Sequence, residues 1–500
     1  MRASPSGTRL ALLVLVGCAL VPGGVDAAES DRVRDGSIFR DPYHVEALTS
    51  PAPNRRWVPD AVLPALPAPG PAALPPELRD PLSLAQLTDL ALRLNPRTRQ
   101  AWFAARVEAA VSGAERSDEW PQISGLYTYR HSRIISGTTG VPANPSIQII
   151  QQPTVSLSYT LFDFGQRAAD KEATSYRLLA ANLTQNRVLQ EVVFQVEQAY
   201  FRVLGTEQLL NANRGSLKSF ETALDAARRR HQSGLATIAD VFRAETQVAQ
   251  ALLVTTRTEG EVSKARGLLS AAVGLPVDAP LRLQTVSELP PVSRVVHSMD
   301  ALIAQAKANR PDLVAAEARA RAAKATSKSI ARAGLPSVEL IANYGRVLYV
   351  DGREAQDVYA AGFNIRIPIF SGFRDTYNVR RSEALANQAE SVRDQLVSQT
   401  EVDVWQSYFD LQTAATGVQT AANFVTSANQ SAVAAAARYA MGVGSLLDVI
   451  TSATDDTNAR VQQIQSQLDW HLALARLNFA LGAIIDVPAG PGVTLPGPGR

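Results

Sequence analysis

Two segments of the chain alternate strictly between apolar and polar residues. Between positions 154 and 161 every second residue is apolar, and the residues between them are Ser or Thr. Positions 361–369 repeat the alternation, and each segment follows a second alternating run, near 122–130 and 338–344. A period of two is typical of a β-strand with one apolar and one polar face. The pattern therefore predicts two β-hairpins, one in each half of the chain.

The rest of the folded chain follows a helical pattern. Apolar residues recur every three or four positions from about 82 to 117, from about 166 to 231, and again after a short turn. A helix of roughly 65 residues would be about 100 Å long, and its two flanking helices of about half that length would match it if placed end to end. Because a globular domain has no room for such rods, we expect them to lie side by side, as in a coiled coil.

The two halves of the chain repeat the same order of elements. Pro121 recurs as Pro336, 215 positions later, and Phe162 recurs as Phe370, 208 positions later. Offsets that stay constant over long stretches indicate an internal duplication. The fold is therefore predicted to be mainly α with a small β part, built from a duplicated helix-strand-strand-helix-helix unit. The two units span residues 82–283 and 297–486.

Both ends of the chain differ in composition from the repeats. The first residues combine Arg2 and Arg9 with a short apolar run, which is typical of an export signal and too short for a membrane-spanning helix. Cleavage is expected after residue 27, or after residue 17 if Cys18, the only cysteine, is lipidated. Residues 28–81 are rich in proline and predict an extended tether. Residues 487–500 predict a disordered tail.

The composition excludes several classes of function. A net charge of +2 provides no basic surface for nucleic acid. The chain has five scattered His, one Cys and neither a P-loop nor a G-x-S-x-G motif. We therefore expect no catalytic residue, no metal site and no cofactor, and we expect that the protein is not an enzyme.

The predicted strands have the length and alternation of membrane-spanning β-strands. They run for about 9–11 residues, and in lipid only a closed barrel leaves no backbone group unpaired. Four strands cannot close a barrel, because the smallest barrels have about eight, so several chains would each contribute four. The alternative is a soluble sandwich with one solvated face. In a barrel the polar face would line a shared lumen with Ser156, Ser158, Thr160, Asn364 and Arg366.

The duplicated plan also carries a family resemblance. The strand-to-helix segments LFDFGQR and IPIFSGFR, the helix starts LNP and NRP, and the turns SGLATIADV and MGVGSLLDV occur in the same order in both halves. Together they resemble the TolC family of outer-membrane efflux proteins, over about residues 82–484. The resemblance implies a homotrimer in the Gram-negative outer membrane. Its twelve-stranded β-barrel would continue into an α-barrel of twelve coiled-coil-like helices in the periplasm.

The resemblance implies partners and a function as well. The partners would be a periplasmic adaptor and an inner-membrane pump, either an ABC transporter or a proton-driven one. The function would be that of an exit duct for efflux or type I secretion, with a drug, a metal, an organic acid or a protein as cargo. A structural or adhesive coiled-coil protein of the envelope, without a pore, is the alternative.

The turns farthest from the strands form a second candidate site. Gly234 and Gly442 would let the chain leave each long helix, and Asp240 and Asp448 would cap the helix that returns. The resemblance implies that these turns contact the adaptor and form the periplasmic gate. The residues concerned are Ser233, Gly234, Leu235, Asp240, Met441, Gly442, Val443, Gly444 and Asp448.

The chain departs from well-studied TolC-like tunnels at two tip positions. Gly444 and Thr451 stand where those tunnels carry Arg and Asp, so a charged lock of that design is not implied. We expect bulk at Gly444 to disturb adaptor docking without affecting trimer assembly. The joint where barrel becomes tunnel is predicted at Phe162, Gly165, Phe370 and Gly372.

Overall fold

The computed structural model describes residues 80–136, 144–284, 298–350 and 353–482. The predicted export signal, Cys18, the Pro-rich segment up to residue 79 and the tail after residue 486 lie outside these ranges. Within them helices predominate and four strands form one small sheet, which confirms a mainly α chain with a small β part.

The two halves contain the same six main elements in the same order. The first half contains α1 (Leu84–Leu94), α2 (Pro96–Arg116), β1 (Gln122–Ser136), β2 (Asn144–Phe162), α3 (Gln166–Gln232) and α4 (Ile238–Val273). The second half contains α5 (Met299–Asn309), α6 (Pro311–Arg332), β3 (Ser337–Tyr349), β4 (Gln356–Arg366), α7 (Arg374–Ala440) and α8 (Leu446–Ala480). A short 3₁₀ helix, Ser117–Glu119, follows α2. The helices α3 and α7 both contain 67 residues.

Each half opens with a pair of helices separated at a proline. Pro96 is the first residue of α2, and Pro311 is the first residue of α6. The residue before a proline avoids the helical region, and Asn95 and Arg310 accordingly have ψ angles of 127° and 114°. The prediction of one continuous helix over 82–117 was therefore wrong, because Pro96 divides this segment into two helices.

The long helices lie beside pairs of shorter ones. The helix α3 contacts α1, α2, α4, α6 and α8, whereas α7 contacts α5, α6 and α8. An ion pair between Arg97 and Glu191, 2.9 Å, places α2 beside the first part of α3. Another between Arg228 and Glu245, 2.8 Å, places α4 beside its last part. The shorter helices are thus arranged end to end along a long one, as predicted.

The helices pack mainly through small side chains, and the larger apolar ones collect in three clusters. Most buried positions in α6 and α7 are Ala, Ser or Thr, which allow close approach of the backbones. The first cluster joins α1, α3 and α4, and the second joins α5, α7 and α8. The third joins the end of α3 and the start of α4 to the start of α8.

In the described part of the chain, no helix combines the length and the apolar character that crossing a membrane requires.

The four strands form one antiparallel sheet in the order β1-β2-β3-β4, so that β1 and β4 are its edges. The strands of the first hairpin contain 15 and 19 residues and extend beyond the predicted segments. The strand β4 ends at Arg366, although the alternation predicts a strand as far as residue 369. Pro368 has no N–H to donate to a neighbouring strand, which explains the early end.

Candidate functional site: sheet faces, joints and hairpin tips

The polar residues predicted for the lumen share one face of the sheet. Thr160 lies opposite Glu339, which in turn lies opposite Asn364. Residues directly opposite each other project to the same side, and side chains alternate along each strand. Ser156, Ser158 and Arg366 therefore join this face. Glu339 also belongs to it and was missed, although it occupies the polar phase of the alternating segment 338–344.

The opposite face of the sheet is apolar and exposed. Val155 lies opposite Tyr344, which lies opposite Tyr359, and these side chains are 53%, 54% and 79% exposed. Beyond them an ion pair between Arg346 and Asp357, 3.8 Å, spans β3 and β4 on the same face. The sheet thus has one apolar and one polar face, as a strand between lipid and water requires.

Each strand-to-helix joint is a tight turn with two consecutive left-handed residues. In the first joint these are Phe164 and Gly165, with φ 52° and 84°. In the second they are Gly372 and Phe373, both with φ 64°. A hydrogen bond closes each turn, from the N–H of Gln166 to the carbonyl of Asp163 and from Arg374 to Ser371. Both joints therefore have the geometry of a type I′ turn.

The order of Phe and Gly is reversed between the two joints. A non-glycine residue in the left-handed region costs roughly 1–2 kcal/mol, so each joint tolerates strain at its Phe. The ring of Phe164 packs edgewise on Phe162, 4.7 Å between centroids, and Phe373 packs on Phe370, 5.4 Å. The four predicted joint residues thus lie in or beside the turns. Phe164 and Phe373 were missed, because no sequence pattern marks a Phe with positive φ.

The first joint is also tied to the second repeat. A guanidinium nitrogen of Arg332, at the end of α6, donates to the carbonyl of Gly165 at 2.8 Å. Within the joint, Asp163 accepts hydrogen bonds from the N–H groups of Gly165 and Arg167, 3.0 and 2.9 Å. The strand-to-helix transition is therefore fixed by contacts within its own repeat and across to the next one.

The two hairpin tips end their long helices in the same way. Gly234 and Gly442 are left-handed, with φ 72° and 82°. The N–H of Leu235 donates to the carbonyl of Arg230 at 2.8 Å, and the N–H of Val443 donates to Arg438 at 3.0 Å. These are glycine-terminated helix ends, as predicted for both turns.

The tip aspartates close capping boxes at the start of the returning helices. Asp240 accepts from the N–H of Thr237 at 3.1 Å, and the hydroxyl of Thr237 accepts from the N–H of Asp240 at 3.3 Å. Asp448 and Ser445 exchange the same two bonds, at 3.3 and 3.1 Å. The capping role predicted for the aspartates is confirmed. Thr237 and Ser445 were missed, although T-x-x-D and S-x-x-D resemble the capping-box pattern.

Apolar side chains project from both tips. Leu235, Met441 and Val443 are 75%, 71% and 74% exposed. Gly444 differs, because a Cβ there would lie 3.0 Å from the backbone nitrogen of Tyr439. Bulk at Gly444 would therefore disturb the turn itself, which corrects the expectation that such a change isolates docking. The exposed apolar residues are better probes of a docking surface.

A groove of about 760 Å³ runs between α3, α7 and α8 above the tips. At its lower end the guanidinium of Arg230 lies over the ring of Tyr439, 4.3 Å from the centroid. Small side chains such as Ala226 and Ala436 form much of its wall. The hydroxyl of Tyr439 and one carboxylate oxygen of Asp456 are buried without a hydrogen-bond partner among the described residues.

The middle of the helical part contains a buried charge network at the second proline break. Arg310, whose side chain is 4% exposed, contacts Asp312 at 2.6 Å and Asp403 at 3.1 Å. Arg187 of the first repeat approaches Asp312 at 3.6 Å. Burial alone would raise the pKa of Asp312, but the hydrogen bond from Arg310 and the nearby positive charges outweigh it and hold the pKa below its ordinary value.

A buried histidine lies between the repeats. His471 of α8 stacks on Phe201 of α3, with ring centroids 4.3 Å apart. Its burial lowers the pKa to about 4, so the imidazole is neutral near pH 7. Across the described ranges, no group of three or more His, Cys, Asp or Glu side chains could hold a metal ion.

The sheet, the joints and the paired helices match a known family. The family described as "Outer membrane efflux protein" matches residues 87–275 and 302–483 of the chain. The chain belongs to the outer membrane efflux protein family.

Individual relatives agree with this assignment. Protein CyaE of Bordetella pertussis is 27% identical over 469 residues, which cover 92% of this chain and 91% of that protein. Outer membrane protein TolC of Vibrio cholerae is 23% identical over 313 residues, 60% of this chain and 71% of that protein. The solved structure of VceC, also from Vibrio cholerae, matches with a TM-score of 0.72 at 19% identity, covering 80% of this chain and 96% of that one.

Family membership confirms the resemblance read from the sequence. The protein is an outer-membrane exit duct for efflux or secretion, and its helical part forms the tunnel that extends into the periplasm. This function replaces the alternative of an adhesive coiled-coil protein without a pore. TolC-like channels are homotrimers that work with adaptors and inner-membrane pumps, and they are ducts and not enzymes.

Proposed function

We propose that three copies of this chain close into one duct, with twelve strands in its barrel and twelve helices around its tunnel. The supporting observation is that the outer edges of the sheet and the outer helices of the chain present surfaces that are open to further partners. Among the described residues β1 pairs only with β2 and β4 only with β3, so the outer edge of each has no strand partner, and four strands cannot close a barrel. Helices at both margins also expose apolar side chains, among them Trp102, Val107, Leu252, Leu385, Val392 and Phe424.

In the proposed trimer the polar face of the sheet lines the lumen. Ser156, Ser158, Thr160, Asn364 and Arg366 would face water, and Glu339 would place a carboxylate among them. Arg366, the last residue of β4, and Glu339 of β3 support this orientation, because charged side chains are costly toward lipid. The apolar face, with Tyr344 and Tyr359, would face the lipid.

The two tips of each subunit would form the periplasmic entrance and the contact with an adaptor. The exposed side chains of Leu235, Met441 and Val443 offer an apolar surface at the end of the tunnel. The capped turns hold this surface rigidly, because both Asp240 and Asp448 are fixed by two hydrogen bonds. The adaptor would connect the duct to an inner-membrane pump, either an ABC transporter or a proton-driven one. The duct itself would perform no catalytic step.

Assembly and conduction test the proposal together. The protein purified in detergent should have three times the mass of one chain by light scattering, and it should form channels in a planar lipid bilayer. A stable monomer, or a trimer that never conducts at any voltage or pH, would contradict the duct.

The lumen assignment has a matched pair of variants. Cysteine at Asn364 should react with a charged thiol reagent in the bilayer and reduce the conductance. Cysteine at the neighbouring Phe363, on the apolar face, should leave the conductance unchanged under the same reagent. The reverse result would place the two faces the other way round.

The tip assignment can be tested in cells with a photo-crosslinking amino acid. At Val443 it should link the duct to a periplasmic adaptor that mass spectrometry identifies. The same amino acid at Lys264, an exposed position far from the tips, is the control. Adaptor captured equally from both positions, or only from Lys264, would move the contact away from the tips.

A further inference from the structure

A groove of about 400 Å³ crosses the face of α6 between α3 and α7, in the part of the tunnel nearest the sheet. Each of the three helices contributes one arginine to its lining: Arg177 from α3, Arg319 from α6 and Arg381 from α7. None of the described residues that line it is acidic, and Glu108 of α2 lines the neighbouring groove between α2 and α6. Positive charge is therefore concentrated at the groove over α6.

The three arginines form no ion pair with a carboxylate among the described residues. Arg177 donates to the hydroxyl of Thr326 at 2.9 Å, and Arg319 donates to the hydroxyl of Thr184 at 2.6 Å. Arg381 is exposed on α7. A hydroxyl is neutral and accepts only part of what a guanidinium with five N–H donors can give. Each arginine thus keeps its charge uncompensated and has N–H groups for a further acceptor.

The groove occupies one face of α6. The α6 residues that line it follow the spacing i, i+3, i+4, i+7 and i+11 of a single helix face: Arg319, Ala322, Ala323, Thr326 and Ile330. Lys328 follows Arg319 by nine residues, which at about 100° per residue places it half a turn away. There it pairs with Glu172 of α3 at 3.7 Å. The cation on the opposite face of α6 is therefore paired with a carboxylate, whereas the arginines of the groove are not.

The contacts of α3 indicate which side of the helical layer this face belongs to. Arg177, Thr184 and Glu191 are spaced by seven residues and share one face of α3. The helix α6 reaches this face through Arg319, and α2 reaches it through Arg97, which pairs with Glu191 at 2.9 Å. In a closed ring of helices, the two neighbours of any helix lean toward each other on the inner side. A face that both neighbours reach is therefore the inner one.

We propose that this groove binds the phosphate or carboxylate groups of molecules that pass through the duct. The inference rests on the proposed duct and adds a chemical class of cargo, molecules that carry negative charge. The planar guanidinium fork matches both carboxylate and phosphate, and the methyl side chains of Ala322 and Ala323 leave room for such a group between the arginines. Three grooves around one tunnel would also raise the local concentration of anions.

The polar face of the sheet continues the same sign of charge toward the exterior. Ser124 lies opposite Ser156, and Arg130 is six residues further along β1, so its side chain joins the polar face. On the described strands this face then carries Arg130 and Arg366 against the single carboxylate of Glu339. An anionic group released from the groove would therefore enter a barrel whose wall also favours negative charge.

Block of the channel by inorganic tripolyphosphate tests the site. In a planar bilayer, tripolyphosphate should reduce the current through the native duct in proportion to its occupancy of the groove. Arg319→Gln should raise the concentration for half-maximal block by about tenfold, because one charge-assisted contact per groove is lost. Gln keeps a donor for Thr184, so the contact between α3 and α6 is retained. Lys328→Gln removes one charge from the opposite face of the same helix and should leave the block unchanged.

A second variant changes the groove without removing a hydrogen bond. Ala323→Glu places a carboxylate between the arginines and should also weaken the block by tripolyphosphate. A native duct that conducts without being blocked, or equal block in the native protein, Arg319→Gln and Ala323→Glu, would overturn the anion site and leave the duct standing. Equal weakening by Lys328→Gln and Arg319→Gln would overturn the inward placement of the groove. A native protein that forms no channel would overturn the proposed function itself.

Discussion

The two repeats break their opening helices at the same position and stabilise the break by different interactions. In the first repeat the amide of Asn95 accepts from the N–H of Arg97 and donates to the carbonyl of Ala272, both at 2.8 Å. In the second repeat Arg310 takes the same place and contacts two carboxylates, with Arg187 of the first repeat nearby. The first break is therefore completed within its own repeat, whereas the second draws on the other one.

The difference shows which structural features the two repeats share and which differ between them. Both breaks keep the proline and a left-handed glycine that follows the returning helix, Gly274 or Gly482. A Cβ at Gly274 would lie 2.9 Å from the Cα of Asn95, and one at Gly482 would lie 2.9 Å from the backbone of Asn309. Backbone shape is thus shared, while the polar contacts differ according to which neighbour each repeat meets.

The shared glycines should give the largest effect. Gly274→Ala and Gly482→Ala would each combine a strained backbone with a clash against the break, and each should lower the free energy of unfolding by about 3–5 kcal/mol. Urea unfolding of the detergent-solubilised protein measures the loss. Gly215→Ala, in an open stretch of α3, is the matched control and should cost nothing. Unequal losses at the two glycines would mean that the breaks do not share this contact.

The charged break should be more sensitive than the neutral one. Arg310→Met leaves Asp312 and Asp403 without their main partner, and it should lower the free energy of unfolding by about 3 kcal/mol. Asn95→Ala removes two neutral hydrogen bonds and should cost about 1–2 kcal/mol. Equal losses of stability would mean that the charged break and the neutral break depend on their polar contacts to the same degree.

The pH dependence of stability should also distinguish the charged break from the neutral one. The pKa of Asp312 in the folded protein lies below its ordinary value of 3.8, so its contribution is present above that value and is lost as the pH falls through the folded-state pKa. The deficit of Arg310→Met relative to the native chain should therefore shrink in acid, whereas that of Asn95→Ala should stay constant. A constant deficit in both would contradict the charged network.

The contact between the two repeats at His471 should make the free energy of unfolding depend on pH in milder acid. Its pKa is about 4 in the folded protein against an ordinary 6.5, so unfolding takes up a proton between these values. This stability is fully present above pH 6.5 and should fall by about 3 kcal/mol as the pH drops to 4. His471→Phe keeps the stack on Phe201 and should remove this dependence. A pH profile unchanged by the substitution would assign the loss to other groups.

The tips should give the smallest and the most equal effects. Thr237→Ala and Ser445→Ala each remove one capping-box bond and should each cost about 1 kcal/mol. Hydrogen exchange at the first turns of α4 and α8 should report both losses locally, and Thr246→Ala, within α4, should leave those turns protected. A loss confined to one tip would show that the two turns are less alike than their bonds indicate.

Much of the architecture can be predicted from short-range patterns in the sequence. The alternation around Ser156 sets the faces of the sheet, and the constant offset of 208 predicts that α3 and α7 have equal lengths. Gly234 and Asp240 could be placed at a helix end and a helix start, because both roles depend on neighbours within six residues. Local rules suffice wherever a residue's partners are close in sequence.

Other features depend on partners that sequence order does not bring together. Arg310 meets Asp403 across 93 positions, and Arg332 reaches the carbonyl of Gly165 across 167. The break at Pro96 could have been inferred from the proline alone, since an internal proline seldom continues a helix. The left-handed angle of Phe164 could not, because Phe rarely adopts it and the surrounding fold imposes it.

The equal lengths of α3 and α7 set the length of the helical part of the subunit. Each helix of 67 residues spans about 100 Å, and each is matched by a pair of shorter helices laid end to end. One inserted residue in α3 would rotate everything beyond it by about 100° relative to α8, so the helix can grow only in whole heptads. Growth would also have to occur at the same height in α4, α7 and α8. The distance between the outer membrane and the hairpin tips is therefore a dimension that four helices specify jointly, and no single mutation can adjust it.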